Sequence, residues 1–305
     1  MTSILCWSSR SWSRYLWAVA VGFSFGWVGF DACGAEQQPL LQPPISPAPS
    51  SSNSSQGSSS PGASGNTQTP TPPPPPAGIP SAAEPAEDLY ALAVGLYSRG
   101  DWALAARELQ TFLRQYPQHP NARRATFLLG ESLLQLGQDQ DALARFTEYL
   151  QQEPQGPWSA KALFRSGEAA FFADKKEQAV TLLKEFLGRY PADPLGAYAL
   201  SYLGQLARKN KDWKTAADHY RQCLERFPQS GLQTECQLGL AQCLEAQGQA
   251  EQAIPLYQAV AQRDNGPPGG DAQFRLGVLL YNLQRYADAA AALELFERRF
   301  ASSAQ

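Results

Sequence analysis

The chain has 305 residues, and its 25 Lys and Arg side chains nearly balance its 28 Asp and Glu side chains, which gives a formal net charge of −3 at pH 7. This balance leaves no sign of the basic stripe that a nucleic-acid-binding protein needs. Only two histidines are present, and no GxSxG, HExxH or phosphate-binding-loop motif occurs. The sequence therefore predicts no catalytic site, no metal site and no cofactor.

The first 35 residues have the pattern of an export signal. Two arginines and no acidic residue precede residues 15–30, which carry no charge, and small residues follow at Cys33 and Ala35. This order predicts a secretory signal at residues 1–35, cleaved after Ala35. The apolar run is shorter than the roughly 20 residues of a membrane-spanning helix. An uncleaved signal anchor and a lipidated Cys33 stay open as alternatives.

Residues 36–85 are predicted to be a disordered linker. They are rich in Pro, Ser, Gln and Gly, contain no Lys or Arg, and include five consecutive prolines at residues 72–76. Such a segment cannot bury enough apolar surface to offset the entropy lost on ordering. A proline run is extended and semi-rigid, so the linker would hold the rest of the chain away from a membrane or wall.

From residue 86 to residue 305 one unit recurs about every 37 residues. A period of this length is typical of an array in which each repeat is one supersecondary unit. The period is marked by an alanine row at Ala105, Ala142, Ala179, Ala216, Ala253 and Ala289, and by a proline row at Pro117, Pro154, Pro191 and Pro228. The six predicted units lie near residues 86–122, 123–159, 160–196, 197–233, 234–269 and 270–305.

Each unit is predicted to be a hairpin of two helices. Apolar residues recur at helical spacing in both halves of the unit. Asp212 is placed to cap the second helix of the fourth unit, and Asp101 occupies the same place in the first unit. Pro228 ends the second helix because proline has no backbone N–H. The predicted fold class is therefore all-α, a solenoid of about six helical hairpins after a disordered linker.

Small residues mark the place where the two helices of a unit are expected to meet. In the first helices they are Ala93, Gly130, Gly167, Gly204, Ala241 and Gly277. Glycine inside a helix costs up to about 1 kcal/mol relative to alanine. A regular row of small residues therefore predicts a close approach between the two helices.

These patterns resemble the tetratricopeptide repeat. In the second unit the matching residues are Leu129, Gly130, Gly137, Ala142, Phe146 and Pro154. The resemblance implies a right-handed superhelix whose concave face, lined by the first helices, binds proteins. The long exit from the unit, with the pattern YPxxP at residues 116–120 and 190–194, is also similar to the envelope branch of the family. That branch includes the outer-membrane assembly lipoprotein BamD and the Tol-Pal-associated coordinator.

The family geometry implies a groove lined by aromatic side chains. The residues expected to line the groove are Tyr90, Tyr97, Phe127, Phe164, Phe171, Phe274 and Tyr281. Tyr and Phe are effective anchors for a peptide that docks by apolar contact. The alternative that some of these rings pack between repeats stays open.

The predicted function is that of a non-catalytic scaffold or adaptor, exported to the periplasm or cell envelope, which binds a protein or peptide segment of an envelope protein. No nucleic-acid partner is predicted, and contact with a membrane would come only through the N-terminal segment. The alternative is that the array is the non-catalytic arm of a larger cell-wall enzyme whose catalytic part lies beyond residue 305. No capping helix follows the last repeat, so either the natural chain continues or this repeat pairs with a partner or with another copy.

Three cysteines fall in the fourth and fifth units. Cys236 and Cys243 are seven residues apart on one predicted helix, and Cys223 lies on the preceding helix. In an oxidising compartment Cys223 could form a disulfide with either of them. The favoured interpretation is that all three are small buried residues that contribute to packing.

Overall fold

A computed structural model describes residues 85–300. In this range the chain forms twelve α-helices and no strand. In chain order the helices are α1 Pro85–Ser98, α2 Trp102–Gln115, α3 Ala122–Gln135, α4 Asp139–Gln152, α5 Ser159–Phe172, α6 Lys176–Arg189, α7 Gly196–Lys209, α8 Trp213–Arg226, α9 Gln233–Ala246, α10 Ala250–Arg263, α11 Pro267–Asn282 and α12 Tyr286–Phe300. The predicted signal and nearly all of the predicted linker lie outside the described residues.

The twelve described helices pack as six hairpins, and each helix contacts the next one along the chain. The first helices of neighbouring hairpins also contact one another. Within residues 85–300, neighbouring second helices make no comparable contact. The first helices therefore lie closer together, and the array curves with them on its inner face. This arrangement confirms the predicted all-α solenoid of helical hairpins.

Each hairpin turn has one residue with a left-handed backbone at the same place in the repeat. In three turns it is a glycine, with φ of 81° at Gly100, 78° at Gly137 and 74° at Gly248. In the other three it is Asp174, Lys211 or Gln284, with φ of 56°, 59° and 60°. The next N–H donates to the carbonyl five residues earlier in all six turns, as from Asp101 to Leu96 at 3.0 Å. This bond pattern ends the first helix and reverses the chain.

The two predicted helix caps have different outcomes. The Asp212 carboxylate accepts a hydrogen bond from the backbone N–H of Thr215 at 3.1 Å, which confirms that cap. The prediction for Asp101 is wrong, because its side chain makes no capping bond. Its carboxylate lies instead 3.4 Å from Nε of Arg99. An N-cap and an exposed ion pair are each worth roughly 1 kcal/mol or less, so a neighbouring arginine is enough to divert the carboxylate.

In the four hairpins where the small residue of the first helix is a glycine, it does mark a close approach between the two helices. A Cβ added at Gly130 would lie 2.7 Å from the Phe146 ring, and one at Gly167 would lie 2.6 Å from the Leu183 side chain. Phe146 and Leu183 each lie one helical turn after the alanine of their own helix. The glycine therefore makes room for a large side chain of the second helix.

The buried apolar residues form two clusters that meet at α7. Ala199 and Tyr202 of α7 belong to the cluster built on α1–α6. Ala197 and Leu200 of the same helix belong to the cluster built on α8–α12. Since α7 contributes to both, it is the element that joins the two halves of the array.

Candidate functional site

Phe127 and Phe164 face the next hairpin and not an open groove. The Phe127 ring stacks on Trp158, with 5.9 Å between ring centroids. The Phe164 ring lies 6.4 Å from both Tyr198 and Tyr202 of α7. The exposed fractions of Phe127 and Phe164 are 3% and 0%. A partner segment can therefore touch neither ring unless the repeats separate.

Three further rings of the predicted groove are also largely covered. The ring centroids of Phe171 and Tyr202 are 4.7 Å apart, and Nζ of Lys209 lies 4.9 Å from the centroid of the Phe171 ring. Tyr90 is buried against the second helix of its own hairpin. Tyr97 is half-buried, and burial together with a nearby carboxylate raises its pKa. These rings stabilise the first three hairpins and offer little surface to a ligand.

Phe274 and Tyr281 are the two predicted groove residues that are well exposed. Their exposed fractions are 48% and 61%, and Val278 between them is 36% exposed. The spacing of four and then three residues puts all three side chains on one face of α11. We call Phe274, Val278 and Tyr281 the α11 ladder. It lies at the C-terminal end of the layer of first helices.

Another helix covers the positions of the α11 ladder everywhere else in the array. The residues equivalent to Phe274 are Tyr90, Phe127, Phe164 and Ser201, which are buried, and Leu238, which is half-buried. Part of the cover comes from the residue 34 positions later on the next first helix, as in the contact of Phe164 with Tyr198. Thus Ser201 donates a hydrogen bond to Glu235 at 2.8 Å. Within residues 85–300, the ladder is the same surface without that cover.

A buried cluster of charges joins α3, α5 and α7. Arg165 donates to Glu131 at 2.7 Å and to Glu168 at 2.5 Å, and the Tyr202 hydroxyl donates to Glu168 at 2.7 Å. Lys161 adds an ion pair to Glu131 at 3.1 Å. Burial by itself would raise the pKa of Glu131, but Arg165 and Lys161 outweigh it and hold this pKa below its ordinary value. Because its charges pair with each other, the cluster fixes three hairpins relative to one another.

This charge cluster was not predicted from the sequence. The signal that could have found it is a spacing of 34 residues, which separates Glu131 from Arg165 and Glu168 from Tyr202. This spacing is three short of the repeat period. A residue 34 positions later lies on the next first helix, one helical turn before the equivalent position. A comparison of residues 37 positions apart therefore does not reveal these pairs.

The inner face becomes polar in the C-terminal half of the array. An open cavity of about 590 Å³ is lined there by Arg208, Trp213, Gln242, Glu245, Ala246 and Arg275. Gln242 accepts a hydrogen bond from Arg208 and donates one to Asp271 at 3.0 Å. Arg275 donates to the same carboxylate at 2.9 Å. These side chains bind one another across three successive first helices, so they contribute first of all to the packing of the repeats.

The three described cysteines are free and fully buried. The favoured interpretation, that they contribute to packing, agrees with this state. The Cys236 thiol donates to the sulfur of Cys223 across 2.9 Å. The two thiols therefore bridge α8 and α9, which belong to different hairpins.

Two kinds of feature are absent among residues 85–300, a cluster of metal-ligating side chains and a membrane-spanning helix. No group of three His, Cys, Asp or Glu side chains in this range is arranged to hold a metal ion. No helix of the same range combines the length and apolar character needed to cross a membrane.

Comparison with protein families gives a consistent result along the array. Models described as tetratricopeptide repeat match residues 90–157 and 164–231, residues 207–268 and residues 271–303. These matches cover nearly all of the described residues. They do not show the predicted likeness to the envelope branch of the family, which stays a prediction.

Several solved structures are similar to this chain. A tetratricopeptide repeat protein from Parabacteroides merdae has a TM-score of 0.55 and 19% identity, over 70% of this chain and 79% of that one. MamA from Desulfovibrio magneticus has a TM-score of 0.51 and 18% identity, over 60% and 96% of the two chains. YrrB, described as a tetratricopeptide repeat protein with an unusual peptide-binding site, has a TM-score of 0.51 and 17% identity, over 64% of this chain and 93% of that one. At these identities the similarity shows the fold alone. None of the curated proteins compared with the sequence matches it.

Proposed function

This chain belongs to the tetratricopeptide repeat family, and on that basis we propose that it is a non-catalytic scaffold that binds a segment of another protein in the cell envelope. The observation that carries the proposal is the exposed α11 ladder. Contiguous exposed apolar side chains mark interaction sites in soluble proteins. The structural similarity to YrrB, described as having an unusual peptide-binding site, is consistent with this role.

The bound segment is an amphipathic helix in this proposal. Phe164 occupies the position of Phe274 in the third hairpin, and Tyr198 and Tyr202 of α7 cover it. Those two tyrosines are four residues apart, so they lie on one face of their helix. A helix with two large side chains at this spacing would cover Phe274 in the same way.

A basic side chain on the partner helix would complete the fit. In the third hairpin, Nζ of Lys209 lies 4.9 Å from the ring of Phe171, which is equivalent to Tyr281. A Lys or Arg at the same place on a partner would lie over the Tyr281 ring in a cation–π contact. A partner with a basic residue after its apolar pair is therefore favoured.

The end residues favour a different protein over a second copy of this chain. In a head-to-tail stack, Asp88 of one copy would stand at the position of Cys236, and Phe296 of the other copy would stand at the position of Cys223. The contact that the two cysteines make within the array would then be a contact between Asp88 and Phe296. Asp88 is exposed on α1. Burying its carboxylate against a phenyl ring, close to Glu297, would cost several kcal/mol. Self-association through the last repeat is disfavoured for this reason.

The partner can be identified by photo-crosslinking from position 281 in the cells that make the protein. Benzoylphenylalanine replaces Tyr281 in one variant and Leu104, which is 44% exposed on α2, in a matched control. We expect a discrete adduct from position 281 that maps to an amphipathic helical segment of another protein, and no such adduct from position 104. The same adducts from both positions, or adducts only with a second copy of this chain, would contradict the proposal.

Affinity for a helix can be measured with a peptide of residues 196–209, which carries Tyr198 and Tyr202. Its binding to the full chain is followed by fluorescence anisotropy of a label on the peptide. The double variant Phe274→Ser/Tyr281→Ser should bind at least roughly tenfold more weakly, because both aromatic anchors are lost. Leu92→Ser/Leu104→Ser changes two other exposed residues and should bind like the wild type. Equal binding by both variants would show that the α11 ladder is not the contact surface.

We also propose export to the envelope, which rests on the sequence of residues 1–35. The intact mass of the chain isolated from its own cells tests this part separately. A mass that begins at Glu36, or at Cys33 with added lipid, is the expected result. A mass that still includes Met1 would mean that the signal is retained, and the array would then have to be assigned to one side of a membrane.

A further inference from the structure

Cys223 and Cys236 are in contact across the junction between the fourth and fifth hairpins. Cys223 lies in the last turn of α8 and Cys236 in the first turn of α9. Their sulfur atoms are 2.9 Å apart, and both side chains are fully buried. The remaining described cysteine, Cys243, lies two turns farther along α9. The two contacting thiols are thus held together by two helices that belong to different repeats.

The other junctions show that repeat packing does not need sulfur here. The place of Cys223 is taken by Phe112, Tyr149, Phe186 and Val260, and the place of Cys236 by Ala125, Ala162, Ala199 and Ala272. All eight of these residues are fully buried. The other junctions therefore have an aromatic residue or a valine at the first position and an alanine at the second. Two cysteines replace that pair at this junction alone among residues 85–300.

We propose that Cys223 and Cys236 are a disulfide-forming pair, which links the fourth and fifth hairpins covalently when the protein meets a disulfide oxidant. A disulfide bond is about 2.05 Å long, so the sulfur atoms need to move by less than about 1 Å. The proposal concerns the chain itself and does not depend on the partner of the α11 ladder. Glutathione disulfide is the oxidant used as a probe.

The reaction is two successive thiol–disulfide exchanges. The Cys223 thiolate attacks one sulfur of glutathione disulfide, which forms a mixed disulfide and releases one glutathione thiolate. That thiolate takes the proton of Cys236. The Cys236 thiolate then attacks Sγ of Cys223 and releases the second glutathione thiolate, which takes up from solvent the proton that Cys223 lost on ionisation. In total, two cysteine thiols and one glutathione disulfide give one protein disulfide and two glutathione thiols.

The surroundings of the pair favour Cys223 as the first nucleophile. The hydrogen bond from Cys236 lowers the pKa of the Cys223 thiol, and the same bond together with burial raises the pKa of Cys236. Burial raises the pKa of the Cys243 thiol to about 11. Cys243 is therefore a poor competitor for the oxidant. Since all three side chains are buried, exchange requires the junction to open, and Cys223 keeps this advantage only while its hydrogen bond from Cys236 persists.

Refolding in glutathione buffers tests the pairing. The full chain is unfolded, refolded at a series of glutathione disulfide to glutathione ratios, alkylated and digested with trypsin. We expect one dominant linkage, between peptides 222–226 and 227–263. It should persist in Cys243→Ala and disappear in Cys236→Ala, which restores the alanine of the other junctions. Free thiols at Cys223 and Cys236 in excess oxidant, or a linkage that survives Cys236→Ala undiminished, would overturn the proposal.

Thermal unfolding distinguishes a native linkage from an accidental one. A disulfide that closes a loop of this size in an undistorted fold should raise Tm by roughly 6–12 °C for a domain of about 200 residues. The oxidised wild type and oxidised Cys243→Ala should both show this rise over their reduced forms, whereas Cys236→Ala should show none. A linked wild type with an unchanged or lower Tm would mean that the bond does not fit the folded junction.

Discussion

The ring of Tyr220 shows how tightly single residues are matched in this array. Gly204 of α7 and Gly239 of α9 both lie against this ring, and an added Cβ would lie 2.8 Å and 2.6 Å from ring atoms. Tyr220 itself is 1% exposed. Because the ring is held from two helices, it cannot move away from either glycine without disturbing the other contact.

Gly239→Ala is therefore expected to destabilise the protein by about 1–3 kcal/mol, since overpacking outweighs the gain in helix propensity. Chemical denaturation measures the change. Gly188→Ala is the matched control, because Gly188 is inside α6 and a Cβ there meets nothing within 4 Å. That variant should be more stable by up to about 1 kcal/mol. A neutral or stabilising Gly239→Ala would contradict the tight contact with Tyr220.

The pKa of Glu131 gives a prediction about pH. Arg165 and Lys161 hold this pKa below the unfolded value of 4.5, so the ionised carboxylate stabilises the fold above about pH 4.5 and this contribution is lost as pH falls through the folded pKa. Glu131→Gln leaves Arg165 without one of its charged partners and should cost about 3 kcal/mol at pH 7. The difference in free energy of unfolding between this variant and the wild type, measured by urea titration, should become smaller below pH 4.5.

Glu148→Gln is the control for this measurement. Glu148 pairs with Arg145 at 2.6 Å on the surface of α4, where both side chains are exposed. An exposed pair of this kind is worth about 0.5 kcal/mol, so the variant should follow the wild type at all pH values. A cost for Glu131→Gln that is the same at pH 3 and pH 7 would show that ionisation of Glu131 does not stabilise the fold.

At the scale of the helix, α1 and α12 differ from the interior helices at the positions that would meet another repeat. Asp88 of α1 stands where the other first helices have Ala125, Ala162, Ala199, Cys236 and Ala272, all of which are fully buried. Glu297 of α12 stands where the other second helices have Leu113, Leu150, Leu187, Leu224 and Ala261. Both end helices thus carry a carboxylate where an interior helix has an apolar or small residue.

The double variant Asp88→Ala/Glu297→Leu should self-associate. It removes both carboxylates from the surfaces that would meet in a head-to-tail stack, and heterologous contacts of that kind produce open chains. Sedimentation velocity over a range of concentrations should show larger species for the variant than for the wild type. Asp141→Ala/Glu177→Leu makes the same changes at exposed residues of α4 and α6 and should not differ from wild type. Identical behaviour of both variants would mean that the carboxylates do not prevent stacking.

At the scale of the whole molecule, the hairpins of residues 85–300 pack mainly against their neighbours along the chain. Stability in such an array is a sum of repeat and junction contributions. The buried residues divide into two clusters that meet at α7. A local loss of packing should therefore spread within one cluster before it reaches the other.

Leu183→Ala tests this division. Leu183 is fully buried in the first cluster, and the substitution should cost about 2–5 kcal/mol. Hydrogen exchange should accelerate strongly in α3–α6 and little in α10–α12. Ile254→Ala in the second cluster should show the reverse pattern. Uniform acceleration along the chain in both variants would indicate a single cooperative unit.

The hairpins, their order and the small residues at their contacts could be predicted from the sequence because they depend on local periodicity. Helix spacing, prolines and hairpin turns repeat every 37 residues or so, and each contact of this kind lies within one unit. The failure of Asp101 to cap its helix could not be predicted, because a neighbouring Arg99 competes for the same carboxylate. The exposure of individual rings could not be predicted either, because the cover comes from another unit.

The sequence by itself determined an all-α array of helical hairpins, since backbone propensity and amphipathic periodicity act over a few turns of chain. Only the tertiary structure decided that Phe164 is buried while Phe274 is exposed, that Arg165 holds two carboxylates, and that two particular thiols touch. The physical reason is the same in all three cases. Burial and pairing at one repeat are set by the side chains that the next repeat places on it.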